Sequence, residues 1–176
     1  YEEFHENGEV KVLCEGAQGF ELDIDWGDYP YVTSSHCTAA GALLNAIPAS
    51  WVRNVWGVGK VYETYVGAKS FEPDDPIFPA LRDLGEEYGA TTGRPRQCNW
   101  LDLDRLTKAI KVNDVNMLVL NKTDVLSELG TYRLFSEGNE VALSSMQEMQ
   151  KFISETIARQ VKKPVLTFFS GRKDKI

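Results

Sequence analysis

The chain has 176 residues, 43% hydrophobic and 26% charged, a composition ordinary for a soluble globular domain with a core of its own. Its formal net charge of −7 sets the average surface against nucleic acid. No apolar run approaches the ~18 residues a membrane span needs. Three cysteines without a CxxC pair argue against a disulfide framework and fit a reducing cytoplasm, and two histidines are too few for a histidine-based zinc site.

Tyr1 to Glu9 is acidic and polar, unlike a secretory leader. There is no initiator Met and a strand-like run begins almost at once, so an N-terminal part of the fold is expected to be missing. Val10 to Cys14 reads as a short buried strand. It ends in Glu15-Gly16-Ala17-Gln18-Gly19, a turn with two glycines. Gly27 and Pro30 forbid a helix through Glu21 to Thr33, which reads as an irregular loop. Ser34 or Ser35 is placed to cap a helix over Thr38 to Ala46. Val52 to Val66, rich in β-branched and aromatic residues, reads as strand. Lys69 to Pro79 carries three prolines and three acids and reads as loop.

Pro79 to Tyr88 predicts a short helix. Leu103, Leu106, Ala109 and Ile110 fall at helical spacing and predict a helix over Asp102 to Val112, with Asp102 near its start. Met117 to Leu120 reads as a buried strand and Thr131 to Phe135 as an edge strand. Met146, Met149, Phe152, Ile153, Ile157 and Val161 line one face of a helix over Ser144 to Lys163, which Pro164 stops. Val165 to Phe169 is a last strand. Alternating strands and helices predict an α/β fold with a mainly parallel sheet and helices on its faces, and no domain boundary stands out within 1–176.

Four short stretches carry chemistry. Gly89-Ala90-Thr91-Thr92-Gly93-Arg94-Pro95-Arg96 sets two guanidinium forks beside two hydroxyls, a combination suited to a dicarboxylate or a phosphate. Asn121-Lys122-Thr123-Asp124 follows an apolar strand. There an Asp can accept from N1–H and the 2-amino group of guanine, and a Lys stem can cover the ring. A polar strand-to-helix turn is the plainer reading of the same four residues. Gly16 to Gly19 can bring backbone amides and the Gln18 amide close to a ligand, or be a tight turn. Thr33-Ser34-Ser35 can cradle a phosphate, or simply cap a helix. Asp23 and Asp25 read as a structural or solvated pair rather than a metal site, and His36 as structural. No GxxxxGK[ST] phosphate loop occurs in the chain.

Taken in order, VLCEGAQGFELDIDWGDYPYVTSS at 12–35, GVGKVYETYVGA at 57–68, EYGATTGRPRQCNWLDL at 87–103 and NKTDVL at 121–126 resemble the adenylosuccinate synthetase family. The likeness is strong over 10–127 and looser at Phe169-Ser170-Gly171-Arg172. It implies a P-loop-NTPase-like fold and a GTP-dependent ligase for purine and AMP biosynthesis. GTP phosphorylates the 6-oxygen of IMP; L-aspartate then attacks C6, giving adenylosuccinate, GDP and phosphate, with Mg²⁺ bridging the phosphates.

By the same resemblance, Gln18, Thr33, Val66 and Arg94 meet IMP. Thr92, Arg94 and Arg96 hold the aspartate carboxylates, and Lys122, Asp124 and Gly171 form the guanine pocket. The general base and acid, and the Mg²⁺ ligands, are expected in the missing N-terminal half, so the 176 residues alone are expected to be inactive. A homodimer in the cytoplasm is also implied. The sequence departs from the family at Tyr65, where an Arg is usual, at Lys69-Ser70-Phe71-Glu72-Pro73 in place of GPFPTE, and at Asn99 in place of Gly. Two other readings stand beside this one: a viral-type ligase joining aspartate to (d)GMP with ATP or dATP, and a guanine-nucleotide-binding module without turnover.

Overall fold

Residues 4–6 and 9–171 are described by a computed structural model, in which the chain divides into two units, Tyr1–Arg53 and Asn54–Ile176. In the first, Phe4–Glu6 (β1) pairs antiparallel with Glu9–Lys11 (β2). The buried strand expected over Val10 to Cys14 does not form. The ladder ends at Lys11, and Leu13 is 91% exposed. An apolar run becomes a buried strand only where other layers cover it. Among the described residues of this unit, β2 has only β1 beside it.

Glu21 to Thr33 is irregular, as Gly27 and Pro30 require. A buried carboxylate organises it. Asp23 accepts from the backbone N–H of Asp25 (2.9 Å), Trp26 (3.0 Å) and Cys37 (2.6 Å). Burial raises the Asp23 pKa, but these three amides outweigh it and leave the carboxyl below its ordinary value. The helix expected over Thr38 to Ala46 shrinks to Ala40–Leu44 (α1), capped by Ala39 rather than by Ser34 or Ser35. Ser35 donates its hydroxyl to Gln18 instead, and so leaves the helix start without a side-chain cap.

The second unit runs β3 (Trp56–Lys60), β4 (Tyr62–Tyr65), α2 (Ile77–Gly85), β5 (Gln97–Asp102), α3 (Leu103–Val112), β6 (Met117–Asn121), α4 (Thr123–Leu129), β7 (Tyr132–Ser136), β8 (Asn139–Leu143), α5 (Met146–Val161) and β9 (Leu166–Phe169). Strands β3, β6 and β9 form a wholly parallel sheet in that order. The order of the other sheet is β4-β5-β7-β8, with β5 and β7 parallel and the flanking pairs antiparallel. The α/β class therefore holds. "Mainly parallel" describes the first sheet, and the second is mixed.

Three boundaries are corrected. Val52 to Val66 is two strands, because the buried Val61 carries the chain from one sheet to the other. The helix expected at 79–88 begins at Ile77 and ends at Gly85, where Glu86 turns left-handed (φ 52°). Pro79 lies in its first turn, where no backbone N–H is required. β7 is interior rather than an edge, since β8, unrecognised in the sequence, covers its outer side. The α3 and α5 helices form as their spacing predicts. The Asp102 carboxylate caps α3 through the N–H of Asp104 and Arg105, and Ser145 caps α5 through that of Glu148. Met146, Met149, Ile153 and Ile157 are buried in one core with Leu118, Leu120, Leu126 and Leu134.

Candidate functional site

A parallel sheet gathers the carboxyl ends of its strands along one edge, where the loops that follow can hold a ligand. Here β3 ends in Lys60, β6 in Asn121-Lys122-Thr123-Asp124 and β9 in Ser170-Gly171. The last two are tied together. Thr123 N–H donates to the Ser170 carbonyl (3.2 Å), and the Ser170 hydroxyl donates to Asn121 Oδ1 (2.7 Å). Lys122 adopts a left-handed backbone (φ 69°), a conformation that costs energy for a side chain with a Cβ and is common at binding sites. Its ammonium donates to the Gly85 carbonyl (2.7 Å), which stretches the aliphatic stem between α4 and α2.

Asp124 follows in the first turn of α4. Its Oδ1 is buried and has no hydrogen-bond partner, alone in this among the side-chain polar atoms of the described residues. A buried acceptor without a donor costs about 1–3 kcal/mol, so it marks a place where a donor from outside the chain is wanted. Gly171 lies against it: a Cβ there would sit 3.0 Å from Asp124 Cβ and 3.2 Å from Oδ1. Lys122, Asp124 and Gly171 are thus brought together. Arg172 lies outside the described residues.

The basic loop is a hairpin closed on itself. Gly89 N–H donates to Arg94 O (2.9 Å) and Gly93 N–H to Gly89 O (2.8 Å), while the Thr92 hydroxyl accepts from Arg94 N–H (3.3 Å). A Cβ on Gly89 would fall 2.9 Å from that hydroxyl, so any larger residue there would make the Thr92 side chain shift. Thr92 and Arg94 are exposed and Arg96 is half-buried.

At the hairpin's neck stands Glu87, only 2% exposed. It accepts from Lys60 Nζ through both oxygens (2.8 Å each), from the Tyr62 hydroxyl (2.8 Å) and from Arg96 Nη1 (2.9 Å). Burial pushes the Glu87 pKa up. The hydrogen bonds from Lys60 and Tyr62 and the charges of Lys60 and Lys122 outweigh it, so Glu87 stays ionised. Burial depresses the Lys60 pKa despite Glu87, and burial and then Glu87 raise that of Tyr62. The cations Lys60, Arg96 and Lys122 outnumber the anions Glu87 and Asp124 in this cluster, a balance that suits an incoming carboxylate.

Gln18 and Thr33 meet within the first unit. Ser35 Oγ donates to Gln18 Oε1 (3.3 Å) and lies 3.4 Å from Thr33 Oγ1. Gln18 is left-handed (φ 60°) and exposed. Val66 follows β4 and is 49% exposed. The three departures from the family pattern pack on one another. The rings of Tyr65 and Phe71 lie 5.6 Å apart, and the Asn99 amide donates to Phe71 O (3.0 Å).

A family model of adenylosuccinate synthetase matches residues 2–175. The chain belongs to the adenylosuccinate synthetase family. The adenylosuccinate synthetase of Halothermothrix orenii is 51% identical over 122 residues, covering 68% of this chain and 28% of that protein. That of Stenotrophomonas maltophilia is 50% identical over 119 residues, covering 66% and 28%. The solved structure of fully ligated adenylosuccinate synthetase from Plasmodium falciparum superposes with a TM-score of 0.75 at 31% identity, over 89% of this chain and 47% of that one. The matched stretch is therefore under a third of the length of these sequence relatives.

For a member of the adenylosuccinate synthetase family, a magnesium site is expected. Among the described residues, one group of three potential metal ligands converges: Asp23, Asp25 and His36. It does not suit Mg²⁺, which takes oxygen ligands at near-ideal octahedral geometry. Both Asp23 oxygens are already filled by backbone amides, and Asp25 is paired with the His36 ring (3.3 Å). Reading the sequence missed Lys60, Tyr62 and Glu87. The signal for Glu87 lay inside the quoted EYGATTGRPR stretch, as an acid just ahead of a basic loop. No helix among the described residues is long and apolar enough to cross a membrane.

Proposed function

We propose that the intact protein carrying this chain uses GTP to join L-aspartate to C6 of IMP. The 6-oxygen is first phosphorylated; the amine of aspartate then displaces phosphate, giving adenylosuccinate, GDP and phosphate. The observation that carries this reading is the buried, unpartnered Oδ1 of Asp124 between Lys122 and Gly171. Guanine offers adjacent N1–H and 2-amino donors to such a carboxylate, and adenine has no 2-amino group to offer.

The basic hairpin takes the aspartate substrate. Thr92 and the two guanidinium groups of Arg94 and Arg96 provide donors for two carboxylates, with Arg94 also near the ribose of IMP. Gln18 takes the 6-position of the purine and Thr33 the 5′-phosphate, supported by their meeting through Ser35. Val66 lies beside the ribose. Mg²⁺, which would neutralise charge on the transferred phosphoryl group, is held by residues other than these. Both units belong to one enzyme domain, and the protein works as a cytoplasmic homodimer.

The test is phosphate release by the intact protein. Turnover with IMP, L-aspartate and GTP, and little with dGMP and ATP, is expected. Preference for dGMP and ATP would refute the acceptor and donor assignments; GTP binding without phosphate release would leave only a binding module.

A further inference from the structure

Three hydrogen bonds hold Arg96 at the neck of its hairpin, and two of them are made with Glu87. Its backbone N–H donates to the Glu87 carbonyl (3.0 Å), and its Nη1 donates to Glu87 Oε2 (2.9 Å). Glu87 is fixed in turn. Its own N–H donates to Arg82 O (2.9 Å) at the end of α2, and its carboxylate is gripped by Lys60 and Tyr62 from β3 and β4. The strand ends that support the nucleotide motif thereby also support the hairpin. On the other side Arg82 Nε donates to the Arg96 carbonyl (2.7 Å), while Arg82 itself pairs with Glu72.

A guanidinium that must receive a carboxylate gains from being fixed before the substrate arrives, since an arginine free to move loses rotamer entropy on binding. Glu87 engages a single nitrogen, Nη1, through Oε2. Arginine has five N–H donors, so most of the fork stays available to a ligand. Lys60 offsets the charge that Glu87 would otherwise take from Arg96.

We propose that Glu87 is a positioning residue for aspartate: buried and ionised, it orients the Arg96 guanidinium for the substrate carboxylate without touching the substrate. This rests on the reading of Arg96 as an aspartate ligand. The guanine side keeps a hydrogen bond in which Glu87 takes no part, from the Lys122 ammonium to the Gly85 carbonyl. Glu87 therefore acts on aspartate and leaves GTP use unaltered.

The experiment is steady-state kinetics on the intact protein, varying aspartate and GTP separately. Glu87→Gln keeps the size and one acceptor but removes the charge. Its KM for aspartate should rise about 10- to 100-fold, the scale of loss when an outer-shell group that orients a metal-binding side chain is altered. The kcat at saturating aspartate and the KM for GTP should stay within about twofold, the mark of lost ground-state binding. An unchanged aspartate KM, or equal damage to both substrates, overturns the proposal. Glu87→Asp, which keeps the charge and withdraws it by one methylene, should fall between wild type and Glu87→Gln. If Glu87→Gln fails to fold, the same KM comparison on Glu87→Asp decides. Arg96→Leu separates this idea from the one beneath it. If Arg96→Leu leaves aspartate use intact, the aspartate assignment fails. If it raises the aspartate KM and the Glu87 variants do not, only the positioning role fails.

Discussion

Replacing Asp124 by Asn should weaken GTP use and strengthen the fold at once, two effects of opposite sign from one buried oxygen. Oδ1 of Asp124 is buried and makes no hydrogen bond. Such an acceptor costs about 1–3 kcal/mol, more when it shares a full charge. Removing the charge relieves part of that cost. Against this stands the position of Asp124 in the first turn of α4, where a negative charge is favoured by about 0.3–1 kcal/mol. The desolvation term is the larger, so a gain of about 0.5–2 kcal/mol is expected, or a few degrees in Tm for a domain of this size.

For GTP the sign reverses. A carboxylate can accept from both the N1–H and the 2-amino group, each worth about 1.5–3 kcal/mol when one partner is charged. The amide keeps one acceptor and turns a donor toward a donor. Losing about 2–4 kcal/mol corresponds to roughly a 30- to 1000-fold rise in the KM for GTP. Xanthosine triphosphate carries a 2-oxo group that the Asn amide can meet, so the variant should prefer it to GTP. Calorimetric melting and phosphate release with the two nucleotides read both effects on the intact protein. A variant that melts lower and uses GTP as well as the wild type would refute the reasoning on both counts.

Two further outcomes follow from the same geometry. Gly171→Ala sets a methyl 3.0 Å from Asp124 Cβ and should raise the KM for GTP about tenfold while leaving that for aspartate alone, since the three atoms nearest that methyl all belong to Asp124. The thiol of Cys98 is fully buried and its pKa is pushed up to about 11 by that burial, so it should resist a thiol reagent at pH 8 until the protein is denatured, whereas the exposed Cys14 should react at once.

What the sequence revealed depended on whether the information was local. The α5 stripe, the Asp102 cap and the apolar strand before Asn121 are properties of adjacent residues, and each takes its place in the fold. β5 was hidden for a physical reason. Its buried Cys98 and Trp100 alternate with Gln97 and Asn99, whose amides bond to the chain at Lys69 and Phe71. Polar residues at those positions read as loop until their distant partners are known. The split of Val52 to Val66 between two sheets is equally silent, because β-propensity is continuous across it. The acid at Glu87 stood in view ahead of the basic loop, but its pairing did not: its partners lie 27, 25 and 9 positions away, and burial of a carboxylate makes sense only once Lys60, Tyr62 and Arg96 converge on it.

The site motifs were legible earlier than the strands that hold them because their chemistry is concentrated in a few consecutive residues. Asn121-Lys122-Thr123-Asp124 and Gly89 to Arg96 each carry donors or acceptors that a core has no use for. The fold adds what joins them. Lys122 reaches the end of α2 at Gly85, and two residues later the chain presents Glu87 to Arg96. A strained left-handed turn at Glu86 connects these two anchors (φ 52°). Helix α2 is thus fixed at its end by a cation from the nucleotide motif and, through Glu87, by a cation from the hairpin. A shift of that end would move both.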